Sequence, residues 1–247
     1  AVDLWVDDNA SALATYGEIN TWDVSLITDM SNLFNGKSEF NEDLSNWNVS
    51  NVTNMALMFF GASSFNSDLS NWDVSNVTNM SAMFKLASSF NQDVSEWNVS
   101  NVLDMSRVFS HTNSFNGNIS SWDVSNAIYM YEMFYIAQAF NQDLSLWDVS
   151  SVTNMNMLFF GNTSLSDENK CAIHTSWSSN ENWPYDWSET CNSEPVVFQP
   201  QTNEELQTAV NLWIDDNASA LATYGEINTW DVSLITDMAN LFNGKSD

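Results

Sequence analysis

Positively charged residues are scarce in this chain of 247 residues, where five Lys or Arg stand against 32 Asp or Glu and the formal net charge is −27. A surface this acidic repels nucleic acid and anionic membranes, which excludes both as partners. No run of about 18 apolar residues is present, so no membrane insertion is expected. No basic-then-apolar signal segment opens the chain, and the sequence is therefore interpreted as an interior piece of a mature protein.

Residue patterns of catalysis are also missing. The two histidines, His111 and His174, occupy unrelated positions, and the sequence has neither a Gly-rich phosphate loop nor a nucleophile motif. The carboxylates recur in columns instead of converging on one place. The chain is therefore expected not to be an enzyme and to need no cofactor, with calcium as the one candidate ion.

What the sequence does contain is a strict repeat of 25 residues. Tryptophan is followed by Val two places on, Ser three places on, Met eight places on and Phe twelve places on. A fixed period of this kind is typical of a solenoid, in which each residue meets its counterpart in the next coil. The six tryptophans are Trp22, Trp47, Trp72, Trp97, Trp122 and Trp147.

Two segments of each repeat predict secondary structure. The Leu-x-x-Trp-x-Val segment, as in Leu69, Trp72 and Val74, is rich in strand formers and predicts one parallel β-strand. The Met-x-x-Met-Phe segment, as in Met55 and Met58, has the spacing of a short helical turn. The predicted fold class is thus an α/β solenoid of leucine-rich-repeat-like coils, stacked about 4.8 Å apart.

The sequence also has a second, longer repeat of 208 residues, because residues 209–247 repeat residues 1–39 with only four differences. Thr202 and Glu205 form a capping box that begins a capping helix, of which the chain shows only the end at its start. Before the linker, a terminal cap holds both cysteines. The predicted domains are 1–19 as the end of the N-terminal capping helix, 20–160 as six coils, 161–194 as the terminal cap, 195–201 as a linker, and 202–247 as the start of the next module.

The coil Trp-Asp-Val-Ser-Asn-Val-Thr-Asn-Met at residues 72–80, with Met83-Phe84, Ala87 and Ser89-Phe90-Asn91-Gln92-Asp93 after it, resembles the BspA-like bacterial surface protein repeat family. The resemblance covers residues 20–160 in six copies, and residues 182–187 look like the segment that often follows such repeats. It implies an extracellular or cell-surface protein, commonly linked to adhesion, without a catalytic site.

Four sets of residues are candidate sites. Cys171 and Cys191 are the only cysteines and predict a disulfide, with a metal site that includes His174 as the less favoured alternative. The tryptophan column is expected to pack in the core, although aromatic rings also bind sugars.

Two further sets are polar. A column of acidic residues could cap turns or bind calcium. The asparagines of Asn-x-Ser/Thr triplets are candidate N-glycosylation sites, unless repetition alone produced the triplets. These are Asp43, Asp68, Asp93 and Asp143 for calcium, and Asn48, Asn51, Asn76, Asn79, Asn98 and Asn118 for glycans.

The functional hypothesis is an extracellular structural protein whose modules, in one polypeptide or as separate chains end to end, build a surface fibre or spacer. The alternative is a cell-surface adhesin that binds glycan or protein ligands with the help of calcium.

Overall fold

In the computed structural model, the structure describes residues 1–191, 198–225, 227–239 and 241–242. The chain divides into two compact units, Ala1–Cys191 and Asn192–Asp247. Residues 195–197 of the predicted linker lie outside the described residues, as do residues 192–194 of the predicted terminal cap. None of the helices in the described part of the chain has the length and apolar character needed to cross a membrane.

The first unit is a stack of coils held together by backbone hydrogen bonds between residues about one repeat apart. In the third coil, the N–H groups of Met80, Ala82, Phe84 and Leu86 donate to carbonyls of the fourth coil over 2.8–3.0 Å. The N–H groups between them donate backwards within their own coil, as Lys85 does to Ala82 over 3.2 Å. Backbone amides along this segment therefore alternate between bonding to the next coil and closing a turn within their own coil.

This alternation excludes the predicted helical turn, because a helix needs every amide for bonds along its own axis. Two residues of each such segment also have positive φ, for example Ala82 at 55° and Leu86 at 64°. A residue in this left-handed region cannot continue a right-handed helix. The segment is a run of tight turns, and the spacing of its Met and Phe residues only resembles that of a helix.

The predicted α/β class is also wrong about the strand, because none of the described residues lies in a β-strand. Around Trp72, the chain makes two tight turns, closed by Trp72 N–H to Leu69 O at 3.0 Å and by Val77 N–H to Val74 O at 2.9 Å. These turns bury Leu69, Trp72, Val74 and Val77 on one side without the alternation of a strand. The coils share only isolated parallel bridges, from Asp29 with Asn54 to Tyr129 with Asn154.

The core consists of aromatic and methionine rows that run from coil to coil. Phe84 lies between Phe59 and Phe109 with ring centroids 5.5 and 5.9 Å apart, and the rings are within 3° of parallel. A second phenylalanine row follows beside it, with Phe90 stacked on Phe84 at 3.9 Å. Trp97, Trp122 and Trp147 repeat at 6.4 Å. All of these side chains are buried, and Trp22 at the start of the row is half-buried against the same core, so the tryptophan row is not an open carbohydrate face.

Short helices close both ends of the stack. At the start lie α1 (Val2–Asp7) and α2 (Asn9–Tyr16), followed by a 3-10 turn at Ile19–Thr21. Asp8 separates the helices because its carboxylate caps α2 by accepting from the Ser11 N–H at 3.1 Å. At the other end, α3 (Asp167–Trp177) is capped by Ser166, and α4 (Ser188–Cys191) follows it. Trp177 of α3 stacks on Trp147 at 6.1 Å and so continues the tryptophan row into the cap.

The second unit contains α5 (Asn203–Asp215), α6 (Asn217–Tyr224) and a 3-10 turn at Ile227–Thr229. The predicted single capping helix is thus two helices, because Asp216 caps α6 as Asp8 caps α2. Thr202 accepts from the Glu205 N–H as predicted, whereas the Glu205 carboxylate binds the Gln201 N–H instead of returning to Thr202. Gly225 ends α6 with φ of 69°.

Candidate functional site

Polar side chains fix the register of the coils. The Asn91 side-chain oxygen accepts from the Asn116 N–H at 2.9 Å, and the Asn91 N–H in turn donates to Asn66 at 2.9 Å. Each buried indole of coils two to six donates to a carbonyl 28 residues earlier, as Trp97 does to Leu69 O at 3.0 Å. A slip by one coil position would leave these buried groups unpaired, so the ladders specify one alignment.

The predicted calcium column consists of exposed turn caps. Asp43, Asp68, Asp93 and Asp143 each accept from the N–H of the Ser two residues later, over 2.8–2.9 Å. The Ser N–H holds the pKa of Asp43 and of Asp93 below the ordinary value, with the Ser hydroxyl adding to the effect. No group of three or more His, Cys, Asp or Glu in the described ranges could hold a metal ion. Calcium binding stays a prediction, which would require carboxylates of neighbouring coils to share the ion.

The sequon asparagines fall into two structural groups. Asn51 and Asn76 donate from the amide nitrogen, the atom to which a glycan would attach, to Ser25 O and Ser50 O of the preceding coil. Asn79 is half-buried and caps Ser81. The others are exposed, and their amide nitrogens make no hydrogen bond among the described residues, so they are the more accessible acceptors. These are Asn48, Asn98 and Asn118.

The cysteines and histidines have separate structural roles. Cys171 and Cys191 form a disulfide, which joins α3 to α4 within the terminal cap. His174 does not join the cysteines in a metal site, because its Nδ1 accepts a hydrogen bond from the Trp183 indole at 3.1 Å. His111 Nδ1 lies 3.1 Å from the Ser110 hydroxyl, but Ser110 is fully buried and so cannot reach a substrate. Neither histidine forms an accessible nucleophile pair.

The fourth to sixth coils carry an aromatic patch that sequence reasoning missed, which we define as Arg107, Tyr129, Tyr131, Tyr135 and Phe160. The Arg107 guanidinium lies 4.7 Å from the centre of the Tyr131 ring, and Tyr135 stacks on Phe160 at 5.5 Å. Tyr129 and Phe160 are 46% and 55% exposed, so the patch presents aromatic surface to solvent.

Two contacts hold the aromatic patch in place. Arg107 Nε donates to Glu132 at 2.7 Å, and the Glu132 side chain is 14% exposed. Burial raises the pKa of the Glu132 carboxyl, but the hydrogen bonds from Arg107 and Tyr131 and the Arg107 charge together outweigh burial and leave the pKa below its ordinary value. Tyr135 also packs against the His111 ring at 5.2 Å. The sequence signal was available, because Tyr129 stands where each of the other five coils has Asp or Asn, namely Asp29, Asn54, Asn79, Asp104 and Asn154.

These features define a repeat protein of stacked 25-residue coils with capped ends. The chain belongs to the family described as Mycoplasma protein of unknown function, DUF285, whose model matches residues 7–110, 91–183 and 214–247. The matched ranges cover the coils, most of the terminal cap and the repeated segment of the second unit. Comparison with curated proteins gave no match, and comparison with solved structures gave none either.

Proposed function

We propose that the chain is a non-enzymatic extracellular structural protein whose modules, in tandem or head to tail, build a surface fibre or spacer. The observation that carries the proposal is the repetition of residues 1–39 at 209–247, with four differences in 39 positions. Both copies fold into the same pair of short helices with the same Asp cap. A cap that recurs after each stack is what an array of identical modules requires.

The interior of the stack supports a mechanical role. Phenylalanine rings are in contact from Phe34 to Phe159, and each coil donates several backbone hydrogen bonds to the next. Bending or slipping the stack would separate these rings and break hydrogen bonds between coils. An array of such stacks would therefore resist deformation within each module and bend at the connections between modules.

The proposed location is the cell surface or the extracellular medium. A disulfide persists in oxidising compartments, and the Cys171–Cys191 bond is consistent with one. The coil pattern further suggests the BspA-like surface proteins as relatives within the repeat class. With a net charge of −27, neighbouring modules repel one another, and this repulsion favours an extended arrangement at low salt.

Electron microscopy of the native material tests the proposal. We expect threads or beads with a regular axial repeat, lengthened when salt is removed. A native gene that encodes a single module, together with a purified product that stays monomeric, would rule out the array.

The aromatic patch favours a second candidate function, an adhesin that binds a glycan or a protein. Tyr and Arg are enriched where proteins bind partners, and Tyr129 is exposed in the middle of the unit. A glycan array and cell-adhesion assays with the full chain test this candidate. Tyr129→Ala and Tyr135→Ala should abolish a specific signal that Asn76→Ala, on a regular coil, leaves intact. Equal signals from all three variants would remove the patch as the binding surface.

A further inference from the structure

The few positive charges of the chain are unevenly distributed. Two of the five Lys and Arg residues are matched by a carboxylate at the surface, namely Lys37 by Asp3 at 3.0 Å and Lys170 by Asp167 at 2.9 Å. Lys245 lies outside the described residues. The remaining two, Lys85 and Arg107, lie in the third and fourth coils. A chain with net charge −27 therefore carries two of its five cations in neighbouring coils, at or next to the aromatic patch.

The Arg107 guanidinium is held in a fixed orientation. Its Nε donates to the Glu132 carboxylate at 2.7 Å, and its carbon lies 4.7 Å from the centre of the Tyr131 ring. Glu132 uses one of the five N–H donors of the guanidinium, so most of the donors are left for a ligand. The side chain is 39% exposed, so an anion can reach it. Because its orientation is already fixed, the guanidinium loses little conformational freedom when it binds.

Lys85 supplies a second positive charge beside Arg107. It occupies the repeat position that Tyr135 and Phe160 hold in the fifth and sixth coils, and it is half-buried. Its ammonium is close enough to act electrostatically on Glu132. All ion pairs among the described residues involve other groups. Lys85 is thus a cation without a carboxylate partner in the described part of the chain, and it makes this edge of the aromatic patch attractive to an anion.

The Tyr129 end of the aromatic patch favours hydroxyl donors instead. Asp104 of the fourth coil is paired with Tyr129 through a parallel backbone bridge. Its Oδ1 accepts from the Ser106 N–H at 2.8 Å, whereas no described residue donates to its Oδ2. A ligand at this end therefore meets an exposed ring beside an acceptor carboxylate. A negative charge placed here would be repelled by Asp104.

We propose that the aromatic patch, together with Lys85 and Asp104, binds an acidic oligosaccharide. The carboxylate or sulfate group of the sugar accepts from Arg107 and Lys85, and a sugar ring stacks its apolar C–H face on Tyr129. Its hydroxyl groups donate to Asp104. An acidic peptide fits less well, because a run of carboxylates places like charge against Asp104. This inference rests on the second candidate function, since it names the class of ligand that such an adhesin binds.

Matched sugars test the proposal on the full chain. A glycan array presents sialyllactose and oligosaccharides of hyaluronan and polygalacturonate beside their carboxyl-reduced forms, and heparan sulfate beside its desulfated form. We expect binding to an acidic sugar that its uncharged form loses and that salt weakens. Equal binding of both forms, abolished by Tyr129→Ala, would refute the acidic ligand and keep the adhesin. Binding of polyglutamate alone would favour a protein ligand, and no binding at all would refute the adhesin as well.

Variants measured by calorimetry with the best acidic sugar assign the contacts. Lys85→Gln should weaken binding roughly two- to fivefold, whereas Lys170→Gln, which removes the same charge from the terminal cap, should not. Arg107→Gln combined with Glu132→Gln keeps the net charge and leaves no unpaired carboxylate. This double variant should lose about tenfold or more in affinity, because it removes charge-assisted hydrogen bonds to the acid group. Circular dichroism controls for folding, and unchanged affinity in the folded double variant would overturn the proposal.

Discussion

Replacing Phe84 with Ala tests whether the aromatic rows hold the stack together. Phe84 is fully buried, and it contacts rings above and below it in the row, at Phe59 and Phe109, and a ring of its own coil at Phe90. Truncating a buried Phe costs about 3–5 kcal/mol through lost burial and the cavity that remains. For a unit of this size each kcal/mol lowers the melting temperature by about 2–4 °C, so the midpoint should fall by roughly 6–20 °C.

Calorimetry and urea unfolding followed by circular dichroism measure this change. Phe160→Ala is the matched control, because Phe160 is 55% exposed and touches one ring, Tyr135. We expect the control to lose less than about 1 kcal/mol. Phe59→Ala and Phe109→Ala should lose as much as Phe84→Ala, since their surroundings repeat. A loss at Phe84 no larger than at Phe160 would refute the continuous core.

Three further predictions concern single interactions. Thr112→Val should cost about 0.5–1.5 kcal/mol in urea unfolding, because it removes the buried hydrogen bond from the Thr112 hydroxyl to Phe84 O at 2.7 Å, while the Ala87 N–H stays bonded to that oxygen; a neutral effect would contradict this. Replacing Cys171 and Cys191 with Ser should lower cap stability by about 3 kcal/mol, seen as faster hydrogen exchange in α3, whereas unchanged exchange would argue against the disulfide. Lowering the pH should first raise the melting temperature and then lower it. Protonating surplus carboxylates first relieves repulsion at low salt. The turn-capping Asp residues have lowered folded pKa values, so their stabilisation is present above the unfolded pKa of about 4 and is lost as pH falls through the folded values. The melting temperature should therefore peak at mildly acidic pH, and a monotonic rise down to pH 2 would contradict the capping role. These residues are Asp23, Asp43, Asp73, Asp93, Asp123 and Asp148.

The sequence predicted which side chains meet more reliably than how the backbone brings them together. Identical residues at a fixed period imply stacked counterparts, and the rings of Phe84 and Phe109 are indeed neighbours. The backbone was mispredicted because Leu69, Trp72 and Val74 are strand-forming residues that also fit two consecutive turns. Nothing in the residue types at Ala82 and Leu86 signals positive φ, since non-Gly residues rarely adopt it.

The candidate surfaces were harder to predict because they depend on departures from the repeat. An interpretation based on the period averages over the coils, so it overlooks Tyr129 as an exception in a column of Asp and Asn and Arg107 as one residue of a variable column.

The unusual backbone also explains why such departures are tolerated. At the position that holds Leu57, Ala82, Arg107 and Glu132 in successive coils, the bond to the next coil is made by the backbone N–H, so different side chains are accepted without loss of that hydrogen bond. All four have the same positive φ, between 54° and 60°. The strain of that conformation is shared by every coil and is opposed by the buried rows beneath it. A stack built this way can keep its interior constant while its surface changes coil by coil, and the aromatic patch is one such local change.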